Sequence, residues 1–343
     1  MCGPSGFEIG DCMGDGLKRR CTDLVEELGL GTAGDVRNVV PLTGGVASDI
    51  AMVDLGDRKF CVKFALPKLK VAEDWQAPVH RNRAEYAWLK VAAEIAPDGA
   101  VQMFGQSANQ FGFAMEFLSG EDVTLWKAEL LQGKIDLCEV ARVGELLGKI
   151  HAVSTNRGFD RSAFQNRDDF RALRIEPYLS FTASRCPEVA DILNALADQL
   201  YNADQVLVHG DVSPKNILFR SGVPVVLDAE CATMGDPAFD VAFCLNHLVL
   251  KALHVPELRP VLAEAVHTFW SAYAKHVSWE ATDGLERRVT ALLPALMLAR
   301  SVGKSPVEYL DDAGKDRLRQ LAMPLIQTPV ATLGAFVRKL NLQ

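Results

Sequence analysis

The sequence predicts an α+β protein of two lobes, a small strand-rich one followed by a larger, mainly helical one. Two observations carry this. Short apolar runs bounded by Gly-Asp and Ser-Gly breakers fill the chain up to about residue 118, and long runs with apolar residues at 3–4 spacing dominate after it. The 343 residues also exceed one small core and fit about two domains of roughly 100–200 residues.

Taken in order, residues 1–20 are expected to be a flexible tail, rich in Gly, with neither a basic start nor an apolar signal region. Thr22–Leu30 reads as a short helix. Ile50–Leu55 and Lys59–Phe64 read as antiparallel strands about a Gly56-Asp57 turn. Arg83–Ile95 places Ala84, Ala87, Trp88, Val91, Ala92 and Ile95 on one helical face. Strand-like runs follow at Val101–Phe104 and Phe113–Leu118. The breaker Ser119-Gly120-Glu121-Asp122 then separates an N-terminal lobe, 21–118, from a C-terminal lobe, 119–343. In the latter, helices are predicted at Glu139–Val153, Glu188–Tyr201, Asp240–Leu253, Pro260–His276, Gly284–Ser301 and Asp312–Ala322. Gln205–Asp228 is the exception, with three short strands.

Composition excludes several classes. Apolar residues at 49% and charged residues at 23% indicate a packed protein rather than a disordered one. A net charge of −8 argues against nonspecific nucleic-acid binding; it suits a cationic substrate as well as an ordinary soluble protein. The eight cysteines form no CxxC pair and several sit in apolar runs, so buried thiols in a reducing, cytoplasmic compartment are expected. No run reaches the roughly 18–20 apolar residues of a membrane helix.

The informative segment is Val206-Leu207-Val208-His209-Gly210-Asp211-Val212-Ser213-Pro214-Lys215-Asn216-Ile217-Leu218-Phe219, a strand that enters a polar loop and leaves as another strand. If Ile217–Phe219 and Val223–Leu227 pair about Arg220-Ser221-Gly222, Asn216 and Asp228 fall at the same open end, with Glu230 two residues on. Two carboxylates and an amide at one sheet end suit Mg²⁺, and a carboxylate without metal duty can orient a substrate proton. Asp and Asn are also ordinary turn residues, so the whole arrangement carries the argument rather than any one of them. His209 is expected to hydrogen-bond the loop backbone.

His209-Gly210-Asp211 with Asn216 five residues on resembles the catalytic loop of the aminoglycoside phosphotransferase and choline kinase superfamily, whose fold is protein-kinase-like. Asp228-Ala229-Glu230 and Gly235-Asp236-Pro237-Ala238-Phe239-Asp240 are similar to the segments that follow in those enzymes. The resemblance implies a bilobal, ATP-dependent kinase of small-molecule hydroxyls. Asp211 would face the acceptor, and Asn216, Asp228 and Glu230 would hold Mg²⁺. Asp240 would cap the helix that starts there and Asp236 would tie the loop.

On the nucleotide side, Gly44 and Gly45 precede a strand, where backbone N–H groups approach phosphates closely. Lys63 sits amid apolar neighbours in the next strand. In kinases a lysine at this place meets the phosphates and a helix glutamate, here Glu85. Ala114-Met115-Glu116-Phe117-Leu118 resembles the hinge strand that contacts adenine, which makes Glu116 and Leu118 nucleotide candidates.

Phe64-Ala65-Leu66-Pro67-Lys68-Leu69-Lys70, then Trp75, then Arg81-Asn82-Arg83-Ala84-Glu85 resembles 5-methylthioribose kinase. The resemblance makes Trp75 and Arg300 candidate acceptor contacts, and it is compatible with a homodimer, although no apolar stripe in the sequence marks an interface. Two departures stand out: Val212-Ser213-Pro214-Lys215 after the catalytic Asp, and Arg300 alone where that family has two adjacent arginines. An aminoglycoside or amino-alcohol acceptor, or a nucleotide-binding scaffold without turnover, remains as an alternative.

Overall fold

The computed structural model describes residues 11–42, 47–70, 78–307 and 309–342, with residues 11–15 described by their backbone. The chain divides into two compact units, Met1–Asn82 with Val101–Leu118, and Arg83–Ala100 with Ser119–Gln343.

In the first unit, helix α1 (Asp11–Glu27) precedes strands β1 (Asn38–Pro41), β2 (Ser48–Asp54), β3 (Lys59–Ala65), β4 (Met103–Ser107) and β5 (Gly112–Glu116). The strands form one antiparallel sheet in the order β1-β2-β3-β5-β4. β3 is central and every residue after Lys59 is buried, so it reads as a continuous apolar run rather than an alternating one. Cys21, Leu24 and Val25 of α1 pack with Ala51, Val53, Phe60, Val62, Phe64 and Ala114 of the sheet in one core. The expected tail over residues 1–20 is corrected here: the helix already runs from Asp11. Gly14 and Gly16 lower helix propensity locally, but the 3–4 spacing of Leu17, Cys21, Leu24 and Val25 gives α1 an apolar face that the sheet buries.

The second unit begins with α2 (Asn82–Ile95), which the sequence division had assigned to the first lobe. Its packing explains the difference. Trp88 lies edge-on against His209 with ring centroids 4.7 Å apart, and the carbonyl of Ala100 accepts from the Arg220 guanidinium at 2.7 Å.

After it come β6 (Val123–Leu125), α3 (Trp126–Leu131), α4 (Leu137–Ser154), α5 (Arg167–Phe170), a π-helix over Arg171–Ser180, α6 (Phe181–Arg185) and α7 (Ala190–Asn202). Strands β7 (Val206–Val208), β8 (Ile217–Arg220), β9 (Val223–Val226) and β10 (Thr233–Gly235) follow. Then come α8 (Pro237–His254), α9 (Arg259–Ala274), α10 (Thr282–Val302), α11 (Asp312–Gln327) and α12 (Leu333–Lys339). β6, β8 and β9 form one small sheet; β7 pairs with β10. α8 is buried almost all round, as an apolar core helix must be.

The sequence pattern predicts no helix between Val153 and Glu188; the structure has one there, with Pro177 inside it. A proline has no N–H to continue an α-helical ladder. The chain instead widens into π turns, and burial of Leu173, Ile175 and Leu179 holds the segment in place.

Among the described residues no helix is long and apolar enough to cross a membrane. The buried thiols Cys21, Cys186, Cys231 and Cys244 behave as small core residues.

Candidate active site

The β8–β9 hairpin sets the geometry of the second unit's site. Ile217 pairs with Val226, and one step beyond the ladder the Leu227 N–H donates to the Asn216 carbonyl at 2.9 Å. This puts Asn216 and Asp228 at the same open end, as the hairpin register implies. Asp228 has φ 71°, the left-handed region that Asp tolerates better than most residues and that clusters at functional sites. The Asn216 side-chain N–H donates to the Asp211 carbonyl at 3.1 Å, which ties the two ends of the loop together.

Asp240 anchors that loop from below. Its fully buried carboxylate accepts from the N–H of His209 at 2.6 Å and of Gly210 at 2.8 Å, with His151 Nε2 at 3.4 Å. The helix cap is Asp236 instead, which accepts from the Ala238 N–H at 2.9 Å and is gripped by the Arg288 guanidinium at 3.0 Å. The expected roles of Asp236 and Asp240 are thus exchanged. Pro237 takes the first helical position, where its missing N–H costs nothing, so the cap falls one residue before it.

His209 serves the loop backbone, as expected. Its Nδ1 accepts from the Asp211 N–H at 3.1 Å and its Nε2–H donates to the Leu227 carbonyl at 3.1 Å. That pattern requires the neutral imidazole, and burial pushes the pKa down, against the carboxylates of Asp240, Asp211 and Asp228.

Asp211 is 4% exposed and held between two cations. Arg174 Nη2 lies 3.0 Å and Lys215 Nζ 3.2 Å from its Oδ2. Burial alone would raise its pKa, but Lys215 and then Arg174 outweigh that, and the carboxyl is held well below the usual carboxylate range. It is therefore a charged but weak base, suited to orienting a hydroxyl and taking its proton late in a dissociative transfer.

Arg174 is the residue that sequence reasoning missed. It projects from the π-helix, donates its Nε–H to the Gly210 carbonyl and its Nη1–H to its neighbour Leu173's carbonyl at 2.8 Å, and is 7% exposed. Only a helix through Pro177 brings it there. The sequence carried no signal that singles it out, since Arg167, Asp168, Asp169, Arg171 and Glu176 crowd the same segment.

Glu230 is 5% exposed, beside Cys231, whose thiol burial pushes far above its usual pKa. Glu85 is buried in the first turn of α2. In the first unit, Lys63 is buried on the central strand β3, opposite Ile50 on one side and Phe113 on the other. Glu116 ends β5; its N–H donates to the Gln102 carbonyl at 2.8 Å and its carboxylate accepts from the Gln102 N–H at 3.2 Å. Leu118 lies beyond the strand. Arg81, 1% exposed, donates to the carbonyls of Leu66 at 2.9 Å, Pro78 at 2.8 Å and Ala47, and so ties the residue before β2 to the residue after β3. Gly44, Gly45 and Trp75 lie outside the described residues.

Arg300 is placed at the C-terminal end of α10, where its Nη1–H donates to the Ser305 carbonyl and, at 2.8 Å, to the Ser305 hydroxyl. Lys304 lies over the Phe181 ring, 5.6 Å from its centroid.

Residues 38–298 match the APH family, the phosphotransferase enzyme family. The chain belongs to this family. Among curated relatives, methylthioribose kinase of Bacillus velezensis is 26% identical over 251 residues, 64% of this chain and 62% of that protein. Methylthioribose kinase of Bacillus mycoides is 22% identical over 254 residues, 65% of this chain and 64% of that protein. The matches thus span less than two thirds of the relatives' length.

Solved structures share the protein-kinase-like fold. A choline/ethanolamine kinase family protein from Mesorhizobium loti has a TM-score of 0.55 at 16% identity, covering 96% of this chain and 98% of its own. An amicoumacin kinase solved with AMP-PNP and Ca²⁺ has a TM-score of 0.56 at 14% identity, covering 93% and 97%.

Proposed function

We propose that this protein transfers the γ-phosphoryl group of ATP to a hydroxyl of a small molecule, in the manner of the methylthioribose kinases it resembles. The observation that carries the reading is the Asp211 loop. A carboxylate kept ionised by Arg174 and Lys215 stands on a loop whose far end gathers Asn216 and Asp228.

In this reading Asp211 orients the acceptor hydroxyl and takes its proton as the bond to phosphorus forms and the bond to the ADP oxygen breaks. Asn216, Asp228 and Glu230 are assigned to Mg²⁺. The residues fit such an ion: the Asn216 amide spends its N–H on the Asp211 carbonyl, which leaves its oxygen for a hard cation. Bound there, Mg²⁺ would neutralise charge on the nucleotide phosphates. Lys63, Glu85, Glu116, Leu118 and the glycines Gly44 and Gly45 are assigned to the nucleotide. Buried thiols suit a cytoplasmic setting.

The test is Mg²⁺-dependent ADP formation from ATP with a panel of alcohols, run with wild type and Asp211→Asn. The reading expects at least one acceptor that stimulates ADP formation and a loss of roughly 10²-fold or more in the variant. Acceptor-independent turnover unaffected by Asp211→Asn, or a phosphoenzyme on the productive path, would sink it.

A further inference from the structure

From Val206 to Ile217 every residue is buried except Lys215. The backbone that carries it is fixed. The Ser213 N–H donates to the Asp211 carbonyl at 2.8 Å and the Asn216 N–H to the Ser213 carbonyl at 2.9 Å, around a one-turn helix that Pro214 starts. Val212, Ser213 and Pro214 are buried, so the turn presents the Lys215 side chain outward. That side chain returns to Asp211 four residues back, Nζ to Oδ2 at 3.2 Å. The pair joins a buried carboxylate, 6% exposed, to a cation that solvent reaches, 43% exposed. Lys215 therefore marks the side from which a substrate approaches Asp211.

The two cations on Asp211 are not equivalent. Arg174 is buried, and each of its nitrogens is engaged, on Gly210, Leu173 and Asp211 in turn. It holds the loop and has little left for a ligand. An ammonium carries several N–H donors. Among the described residues Lys215 bonds Asp211 alone, which leaves its other donors for a substrate. Phosphoryl transfer supplies a use for them. A hydroxyl held by Asp211 in line with the γ-phosphorus stands about 3–3.5 Å from it, so the carboxylate and the anionic phosphoryl oxygens face each other across one hydroxyl group. Their repulsion opposes that approach unless a cation touches both. Lys215 already touches the first and is open towards the second.

We propose that Lys215 bridges Asp211 and the γ-phosphoryl group during transfer, with one N–H on the carboxylate and another on a phosphoryl oxygen. This rests on the kinase reading above and adds a catalytic residue to it. The acceptor oxygen bonds to phosphorus, and the bond from phosphorus to the ADP oxygen breaks with its electron pair left on ADP. The hydroxyl proton passes to Asp211, and Lys215 keeps its own protons throughout. What Lys215 supplies is charge compensation, strongest when the two anions are closest. An interaction made mainly in the transition state lowers kcat when it is removed and leaves nucleotide affinity nearly unchanged.

The experiment is a double-mutant cycle that needs no turnover. ADP binding in Mg²⁺ is measured by calorimetry with and without fluoroaluminate, an anion that takes the place of the transferring phosphoryl group. Wild type, Lys215→Met, Asp211→Asn and the double variant are compared. Lys215→Met should weaken the fluoroaluminate complex at least about tenfold and ADP alone by less than about threefold. The same loss should appear in the Asp211→Asn background, because the contact is to the phosphoryl position itself. In the acceptor-dependent assay kcat should fall roughly 10²-fold in Lys215→Met and recover in part in Lys215→Arg. Lys215→Gln, neutral but still polar, gives the same reading if Lys215→Met does not fold. If the effect of Lys215→Met vanishes in the Asp211→Asn background, the lysine acts only through the carboxylate; this overturns the proposal and leaves the kinase reading standing. A wild-type kcat in Lys215→Met overturns it in the same way. If wild type neither releases ADP with any acceptor nor binds ADP more tightly with fluoroaluminate, the kinase reading fails and this proposal with it.

Discussion

Arg174 and Asp211 form a buried ion pair, Nη2 to Oδ2 at 3.0 Å, in which the arginine also bonds the backbone of Gly210, the residue before its partner. One side chain thus fixes both the charge state of the carboxylate and the course of the loop that carries it. Arg174 does so from a π-helix 37 residues earlier in the chain.

Removing Arg174 has a predictable sign. Asp211 has a depressed folded pKa, so its stabilising contribution is present above the unfolded value of about 3.9 and is lost as pH falls through the folded one. In Arg174→Met the carboxyl keeps only Lys215, its pKa rises, and the acid limb of the kcat/KM profile moves to higher pH. We expect kcat/KM to fall roughly 10–100-fold through loss of orientation, and stability to fall by about 3–5 kcal/mol because a buried charge loses its partner. Lys215→Met, which removes the more exposed cation, should shift the acid limb in the same direction at a smaller cost in stability. An acid limb unchanged in both variants would show that Asp211 is not the titrating base.

The two carboxylates before and within α8 separate cleanly by experiment. Asp240 accepts two loop N–H groups in full burial, and Asp236 caps α8 at its start. Asp240→Ala should leave both N–H groups without an acceptor, costing about 3–5 kcal/mol and most of the activity. Asp236→Ala should cost about 1–2 kcal/mol, a lost cap and the loss of one of Arg288's two carboxylate partners, Glu280 remaining, with KM for ATP nearly unchanged. Denaturant melts paired with steady-state kinetics check both. Equal kinetic damage from the two would contradict the assignment of the loop to Asp240.

What the sequence revealed and what it concealed follow from the range of the interactions. The placement of Asn216 beside Asp228 was legible because a two-strand register fixes it over a dozen residues. The role of His209 was legible because its partners are its own loop. Arg174 was not, since reaching Asp211 needs a helix that the sequence pattern does not predict. The start of α1 was hidden for a related reason: Gly14 and Gly16 argue locally against a helix that tertiary burial of Cys21 and Leu24 imposes. Asp236 and Asp240 were exchanged because both lie within one turn of a helix start, and only the position of Pro237 in the first turn decides between them.

Acid should weaken the fold before it protonates Asp211. His209 and His247 have folded pKa values below the usual 6.5, so the unfolded chain binds more protons as pH drops past that value. Each then lowers stability by at most about 1.4 kcal/mol per pH unit, in the window between 6.5 and its folded pKa. Urea midpoints should therefore fall from about pH 7.5 to about pH 5.5, with part of the slope removed in His247→Leu. A flat profile over that range would mean that these imidazoles take up protons in the folded state as readily as in the unfolded chain.

Gly210 and Gly133 form a matched pair. Both have positive φ, 82° and 76°, where an added Cβ is strained by about 1–2 kcal/mol. They differ in what that Cβ would meet. At Gly133 the nearest atoms belong to Leu258 at 3.6 Å, an ordinary contact; at Gly210 the Cβ of Cys231 lies at 2.8 Å and its carbonyl at 3.1 Å. Gly133→Ala should cost only the backbone strain and leave turnover as in wild type. Gly210→Ala adds overpacking of about 1–3 kcal/mol. The displacement falls on the residue whose N–H Asp240 holds and whose carbonyl Arg174 holds. Asp211 is the next residue, so kcat should drop by roughly 10²-fold while the thermal midpoint shifts by only a few degrees more than in Gly133→Ala. A Gly210→Ala enzyme with wild-type kcat would show that the loop can move without disturbing Asp211, and the anchoring roles given to Asp240 and Arg174 would fail together.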